Sequence, residues 1–305
     1  MSSPGPVFAL FVKPWKALSI PRLAEHVKNL GFTWIELPVR PGFPCEPETI
    51  ETSLPAAVAQ LAGQGVRVLN VTVALPLTDE RLYAASVKAG IRMNRVIFEH
   101  GENENYWQAE KRARQKLDAA MPFCEQYGFQ IGVQNHYGHS LPVNAMGLYH
   151  LVKDYDPKYV GAIWDPAHNA LSGEEPEPAL DMVSSHLCVV NLKNACWQRV
   201  NGTRTSADER GEIPTFENPS QESAFFRVHP RPIQNGNEVE VAEWRVEWTS
   251  GRQGRASWRH VAAKLKQMDY QGPVCLSAEY SAEGEVDRLI VEDLAFAREC
   301  FAHAP

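Results

Sequence analysis

Short runs rich in β-branched and aromatic residues alternate with helix-length stretches carrying one apolar stripe, and this rhythm holds along almost all of a 305-residue chain. Parallel strands need a crossover of a dozen or more residues, so such a chain is confined to sheets whose strands run the same way with helices on their faces. The runs are PVFALFVK, FTWIELPV, VRVLNVTV, RVIFEHG, FQIGVQNH, YVGAIWD, LCVVNLK and PVCLSAEYS. Between the first two, Ser19 and Pro21 mark a helix start, Leu23, Ala24, Val27 and Leu30 share a face, and Gly31 stops the helix. Further helices are expected near 50–63, 78–91, 103–127 with a kink at Pro122, 141–154, 176–186, 258–268 and over the C-terminal stretch to Phe301. Eight such units predict an α/β fold, a closed (β/α)8 TIM barrel. An open doubly wound sheet is the competing architecture, but no G-x-G-x-x-G follows the first run.

Residues 196–254, after strand seven, interrupt the rhythm. They are polar and rich in Gly, Asn and Arg, with an apparent hairpin in EVEVAEWRVEWTSG, and are expected to form an insertion over the barrel mouth within one domain spanning 1–305. Trp244, Trp248, Phe225 and Phe226 in this segment suit either a lid over its own site or a contact with a second copy in a homo-oligomer. With 44% hydrophobic residues and no apolar run near the roughly 18 that a membrane span requires, no membrane partner is expected. A net charge of −7 opposes a nucleic-acid surface. The six cysteines form no C-x-x-C pair and the first residues lack the basic flank of a secretory signal, so buried thiols in a cytoplasmic protein are expected.

In a barrel of this kind the chemistry sits at the C-terminal ends of the strands. The runs end on Glu36; on Glu99 and His100; on Gln134, Asn135 and His136; on Asp165; on Asn191 and Lys193; and on Glu279. Each has an ordinary alternative: Glu36 or Asp165 as a helix cap, His168 as a packed first-turn histidine, Lys193 as a solvated lysine. Capping does not explain why consecutive strands all end on oxygen-bearing side chains. His136 suits acid–base work near neutral pH, and Lys193 suits polarisation of a carbonyl. Trp164 and Trp197 offer faces on which the C–H side of a sugar ring stacks, or simply plug the barrel.

The succession GFTWIELPVR, IGVQNHYG, VGAIWDPAHN with GEEPE, VVNLKNA and LSAEYS resembles the xylose-isomerase-like TIM barrels, the superfamily of sugar isomerases and epimerases, inosose dehydratase and the endonuclease IV barrel. Asp-Pro-Ala-His is the most specific element. The resemblance implies a divalent metal, Mn2+ or Mg2+, on Gln134, Asp165, Asn191 and Glu279, with His168 on the substrate. Two of these positions depart from the family pattern, which has a carboxylate at 134 and an imidazole at 191. The altered set suits Mg2+, Mn2+ or Ca2+ better than Zn2+, weakens binding, and leaves open that no metal is held. An amide at 134 cannot take a proton, so Glu279, His168, His136 and Lys193 are the catalytic candidates, with Glu36, His100, Trp164 and Trp197 as substrate contacts.

The activity this resemblance implies is that of a sugar isomerase or epimerase acting on a keto-sugar or polyol by metal-assisted proton abstraction. Loss of one base brings forward a lyase or dehydratase, eliminating across an oxidised sugar, cyclitol or glycoside. A barrel that only binds sugar, or serves as a partner subunit, is the third alternative. The expected partner is a small carbohydrate or cyclitol.

Overall fold

The chain is described by a computed structural model over residues 5–101, 103–204 and 239–304. Phe225 and Phe226 lie outside the described residues, as does the side chain of Trp244. Eight parallel strands, β1 (Phe8–Phe11), β2 (Trp34–Val39), β3 (Arg67–Val73), β4 (Met93–Val96), β5 (Gln130–Gln134), β6 (Val160–Trp164), β7 (Leu187–Leu192) and β8 (Val274–Ser277), each pair with the next. Pairing of β8 with β1 closes the barrel, with Phe8 opposite Val274 and Phe11 opposite Ser277. The helices are α1 (Ile20–Asn29), α2 (Ile50–Gly63), α3 (Glu80–Lys88), α4 (Tyr106–Tyr127), α5 (Ala145–Val152), α6 (Pro166–Leu171), α7 (Pro176–Val183), α8 (Trp258–Gln267) and α9 (Val286–Ala302). Among the described residues none is long and apolar enough to cross a membrane.

The alternation of strand side chains divides the apolar residues between two layers. Ile35, Leu37 and Val39 of β2 face the helices and join the large outer core. Ala9, Phe11, Ile163, Val189 and Cys275 point inward and fill the barrel. Gly132 makes room for this inner layer, since a Cβ there would stand 2.5 Å from Cδ1 of Ile163. Burial of these two layers is the main source of stability, at roughly 25 cal/mol per Å² of apolar surface removed from water.

Helix α4 is the long helix expected near 103–127, with Pro122 inside it, from an Asn105 capping box to Gly128, whose φ of 57° is the left-handed conformation that glycine adopts freely. Two elements differ from the sequence-based expectation. Strand four stops at Val96, and Phe98–Glu99 instead pairs antiparallel with Ser140–Leu141. The segment EVEVAEWRVEWTSG is one strand rather than a hairpin: Val239–Thr249 pairs antiparallel with Asn194–Arg204, which follows β7 directly. At the base of this ribbon Trp248 and Ala195 pack on Tyr137, Ala167 and Leu171, so the insertion is seated on α6 beside the barrel mouth.

Candidate active site

At the C-terminal ends of the strands the inward positions turn polar, and their contacts form a chain around the barrel. Thr72 of β3 donates to Glu36 Oε1 of β2 at 2.6 Å. The same oxygen is ion-paired with Arg95 Nε of β4 at 2.5 Å. Arg95 Nη1 donates to Gln134 Oε1 of β5 at 2.6 Å, and its guanidinium lies 4.2 Å over the Phe11 ring of β1. Gln134 Nε2 and Asn191 Nδ2 both donate to Asp165 Oδ2, at 3.0 and 2.7 Å, and Asn191 Oδ1 accepts from Ser277 Oγ at 3.1 Å. Apart from Thr72 every member is buried. The neighbours fix both amide orientations: turning Gln134 over would set its NH2 against the guanidinium and its oxygen against the Asp165 carboxylate.

Asp165 is the hub of this belt and also a helix cap. Its Oδ1 accepts the backbone N–H groups of Ala167 and His168 at 2.9 and 3.2 Å, which opens α6. Asn135 clasps its backbone, accepting the Asp165 N–H at 2.8 Å and donating to its carbonyl at 3.1 Å. Burial pushes the Asp165 carboxyl up to about 6, against the opposing pull of Lys193 and of the amide and backbone donors.

Above the belt lies a different kind of site. Glu279, just past β8, accepts from Lys193 Nζ at 2.9 Å and from Lys13 Nζ at 2.7 Å. Burial would raise its pKa, but the two ammonium groups outweigh that and hold the carboxylate well below its usual range. Lys193 also sits 3.6 Å over the Trp248 ring, a cation–π contact that fixes its head between a carboxylate and an indole face. The His136 and His168 rings lie beside one another, 4.0 Å between centroids, with Trp248 edge-on to His168 at 5.3 Å. Burial, with help from Lys193 and Arg95, lowers His136 to about 4; burial, His136 and the same cations lower His168 well below the ordinary histidine range. Both imidazoles are therefore neutral at pH 7. His136 Nδ1 lies 2.8 Å from the Tyr137 carbonyl, which can only accept, so Nδ1 carries the proton and Nε2 keeps a lone pair. His168 Nε2 is 3.5 Å from Asp165 Oδ2, and its buried Nδ1 has no hydrogen-bond partner among the described residues.

These residues do not fit a divalent cation. Two of the expected ligands, Gln134 and Asn191, aim N–H donors rather than oxygens at Asp165 Oδ2, and Glu279 has both oxygens on lysines. Among the described residues no group of three or more His, Cys, Asp or Glu side chains is arranged to hold a metal. A cation entering here would also meet Lys193 and Arg95, two fixed positive charges.

The other expected positions divide. Glu36 is in the belt, tied to Arg95 and Thr72. Trp197 stands over α6, its Nε1 donating to the Leu171 carbonyl at 3.3 Å and its ring edge-on to Tyr137. Trp164 is not in the mouth: Ile163 fills the barrel interior and Asp165 points inward, so Trp164 between them faces the outer core. His100 lies beyond the short Phe98–Glu99 strand, its ring 6.4 Å from that of Tyr106. Arg95, Lys13 and Arg40 were not singled out from sequence, and Trp248 was named only for a lid or an oligomer contact. An arginine inside the strand MNRV is a signal that was available, because a buried guanidinium must have a partner.

The sequence matches the family model described as xylose isomerase-like TIM barrel over residues 24–300. No curated protein sequence matches it. Solved structures of the same fold include D-psicose 3-epimerase in the presence of D-fructose, at 12% identity and a TM-score of 0.64, covering 96% of this chain and 99% of that one. Another is the 3-keto-D-glucoside 4-epimerase of E. coli, at 13% identity and 0.65, covering 97% and 100%. A third is a probable 3-DHS dehydratase from Bacillus anthracis, at 11% and 0.62, covering 94% and 97%. On the extent of the family match, the chain belongs to the xylose isomerase-like TIM barrel family.

Proposed function

We propose that this chain is an enzyme that moves a proton on the carbon next to a carbonyl of a carbohydrate, and that side-chain cations take the electrostatic part which the family resemblance gives to a metal. Similarity to sugar epimerases and a dehydratase supports the substrate class and the chemistry. The observation that carries the reading is Lys193, a buried ammonium held between Glu279 and the Trp248 face beside the neutral His136.

Lys193 donates to the substrate carbonyl oxygen. His136 Nε2 takes the proton from the adjacent carbon, the C–H electron pair becomes the C=C bond, and the carbonyl π pair moves onto oxygen as an enolate, beside the ammonium. Delivery of a solvent proton to the other face gives an epimer; where the deprotonated carbon carries a hydroxyl, return of the proton to the former carbonyl carbon, with the hydroxyl proton passing to the enolate oxygen, gives an isomer. Glu279 positions Lys193. Both Glu279 oxygens are engaged by lysines, so the base of this reading is His136, and a single base favours elimination of a β-substituent, which leaves as the enolate re-forms the carbonyl, as the second outcome.

Deuterium exchange tests the reading. Chelator-treated protein in D2O is given keto-sugars, neutral and charged, and the C–H next to the carbonyl is followed by proton NMR. Exchange is expected in wild type and falls about 100-fold or more in Lys193→Met and His136→Gln. Absence of exchange across the panel, or exchange indifferent to both substitutions, would overturn it.

A further inference from the structure

Trp34 and Glu36 of β2 share the inward parity, and the same alternation carried past Val39 brings Arg40 to that face. Lys13 opens the 3-10 turn that follows β1 and reaches the rim through its ion pair with Glu279, whose carboxylate Arg40 also feels. Lys13 is ion-paired with Glu279 and half exposed, which leaves it reachable from the mouth.

Arg40 is half-buried in the field of Arg95, Glu36 and Glu279, yet its guanidinium makes no hydrogen bond and no ion pair among the described residues. Burial and Arg95 together disfavour its charge more than the two carboxylates favour it. The carboxylates nearby are already taken, Glu36 by Arg95 and Glu279 by the two lysines. Among the described residues the rim therefore carries three cations, Lys13, Arg40 and Lys193, around the carboxylate of Glu279. Partly buried cations without counterions are costly, and a guanidinium fork presents two parallel N–H donors to a planar or tetrahedral oxyanion.

We propose that Arg40, with Lys13 on the same rim, binds an anionic group of the substrate, so that the carbohydrate handled here carries a carboxylate or a phosphate. The inference rests on the proton-transfer reading only in taking the barrel mouth as the substrate site. Arg40 is a specificity-determining residue and takes no part in the proton transfer.

The test uses D-fructose, D-fructose 6-phosphate and D-fructuronate as probes with the full chain. Deuterium exchange gives kcat/KM for each, and ligand-induced shifts in melting temperature are read in parallel. At least one charged sugar is expected to exceed D-fructose about 100-fold, and which of the two does so tells phosphate from carboxylate. Arg40→Met collapses that ratio about 100-fold, mainly through KM, and Arg40→Lys, which keeps the charge and loses the fork, falls between. Charged sugars that raise the melting temperature of wild type but not of Arg40→Met, without any exchange, would uphold the anion site and sink the proton-transfer reading instead. A neutral sugar preferred by wild type, or neither charged sugar binding at all, overturns the proposal.

Discussion

The belt and the rim of this barrel lie one above the other and answer opposite demands. In the belt each charge is matched: Glu36 by Arg95, and Asp165 by two amides and two backbone N–H groups. On the rim the balance fails among the described residues, with three cations around the Glu279 carboxylate, a guanidinium that makes no hydrogen bond or ion pair, and an imidazole that keeps its Nε2 lone pair. A matched buried network fixes geometry but has nothing left to offer a ligand, whereas an unmatched one keeps its donors for the substrate at some cost in stability. The belt is thus the foundation on which the rim is held.

Substitutions should separate the two layers. Arg95→Met leaves Glu36 buried without its counterion and Gln134 Oε1 without a donor, and is expected to cost about 3–5 kcal/mol in denaturant unfolding. Arg40→Met, on the rim, should change stability by less than about 1 kcal/mol or raise it; a loss as large as that of Arg95→Met would erase the distinction. Asp165→Asn removes a carboxylate that burial disfavours, but sets an NH2 or a poorer acceptor against the donors of Gln134, Asn191 and α6. A net loss of about 2–4 kcal/mol at pH 7 is expected, and a stabilised variant would show that the hub is a buried charge rather than an acceptor.

The pH profile sharpens the same contrast. In the proposed reaction His136 acts when deprotonated, and its folded-state value is lowered from 6.5 to about 4, so proton exchange should persist as pH falls through 6.5 and decline only toward about 4. An acid limb centred near 6.5 would place the base elsewhere. For stability the sign is also fixed. The Asp165 value is raised from 3.8 to about 6, so its contribution is full below 3.8 and is lost as pH rises through about 6. Asp165→Asn should flatten that part of the stability curve.

Much of this was legible in the sequence because the barrel repeats one pattern. Short β-branched and aromatic runs marked all eight strands, and reading what each run ends on picked out Glu36, Gln134, Asp165, Asn191 and Glu279, which lie at one end of the barrel. The same parity, carried one residue further, puts Trp164 on the outer face and Arg40 on the inner one. Arg95 escaped because β4 and the short Phe98–Glu99 strand form one apolar run, which moved the apparent end of strand four to His100. The contacts of Trp248 with Lys193 and His168 could not be read from local pattern: they come through the pairing of Val239–Thr249 with Asn194–Arg204, between segments far apart in sequence. The orientation of the two amides, which decides the fate of the metal site, follows from Arg95 and Ser277 rather than from the residues at 134 and 191.

The most direct measurement is a calorimetric titration of Mn2+ into chelator-stripped wild type and Asp165→Ala, with deuterium exchange followed on the same samples. The predicted result is no saturable heat in either protein and an exchange rate in wild type unchanged by the ion. Stoichiometric Mn2+ binding that is lost in Asp165→Ala, together with a metal-dependent rise in wild-type exchange, would contradict the replacement of metal by Lys193 and Arg95.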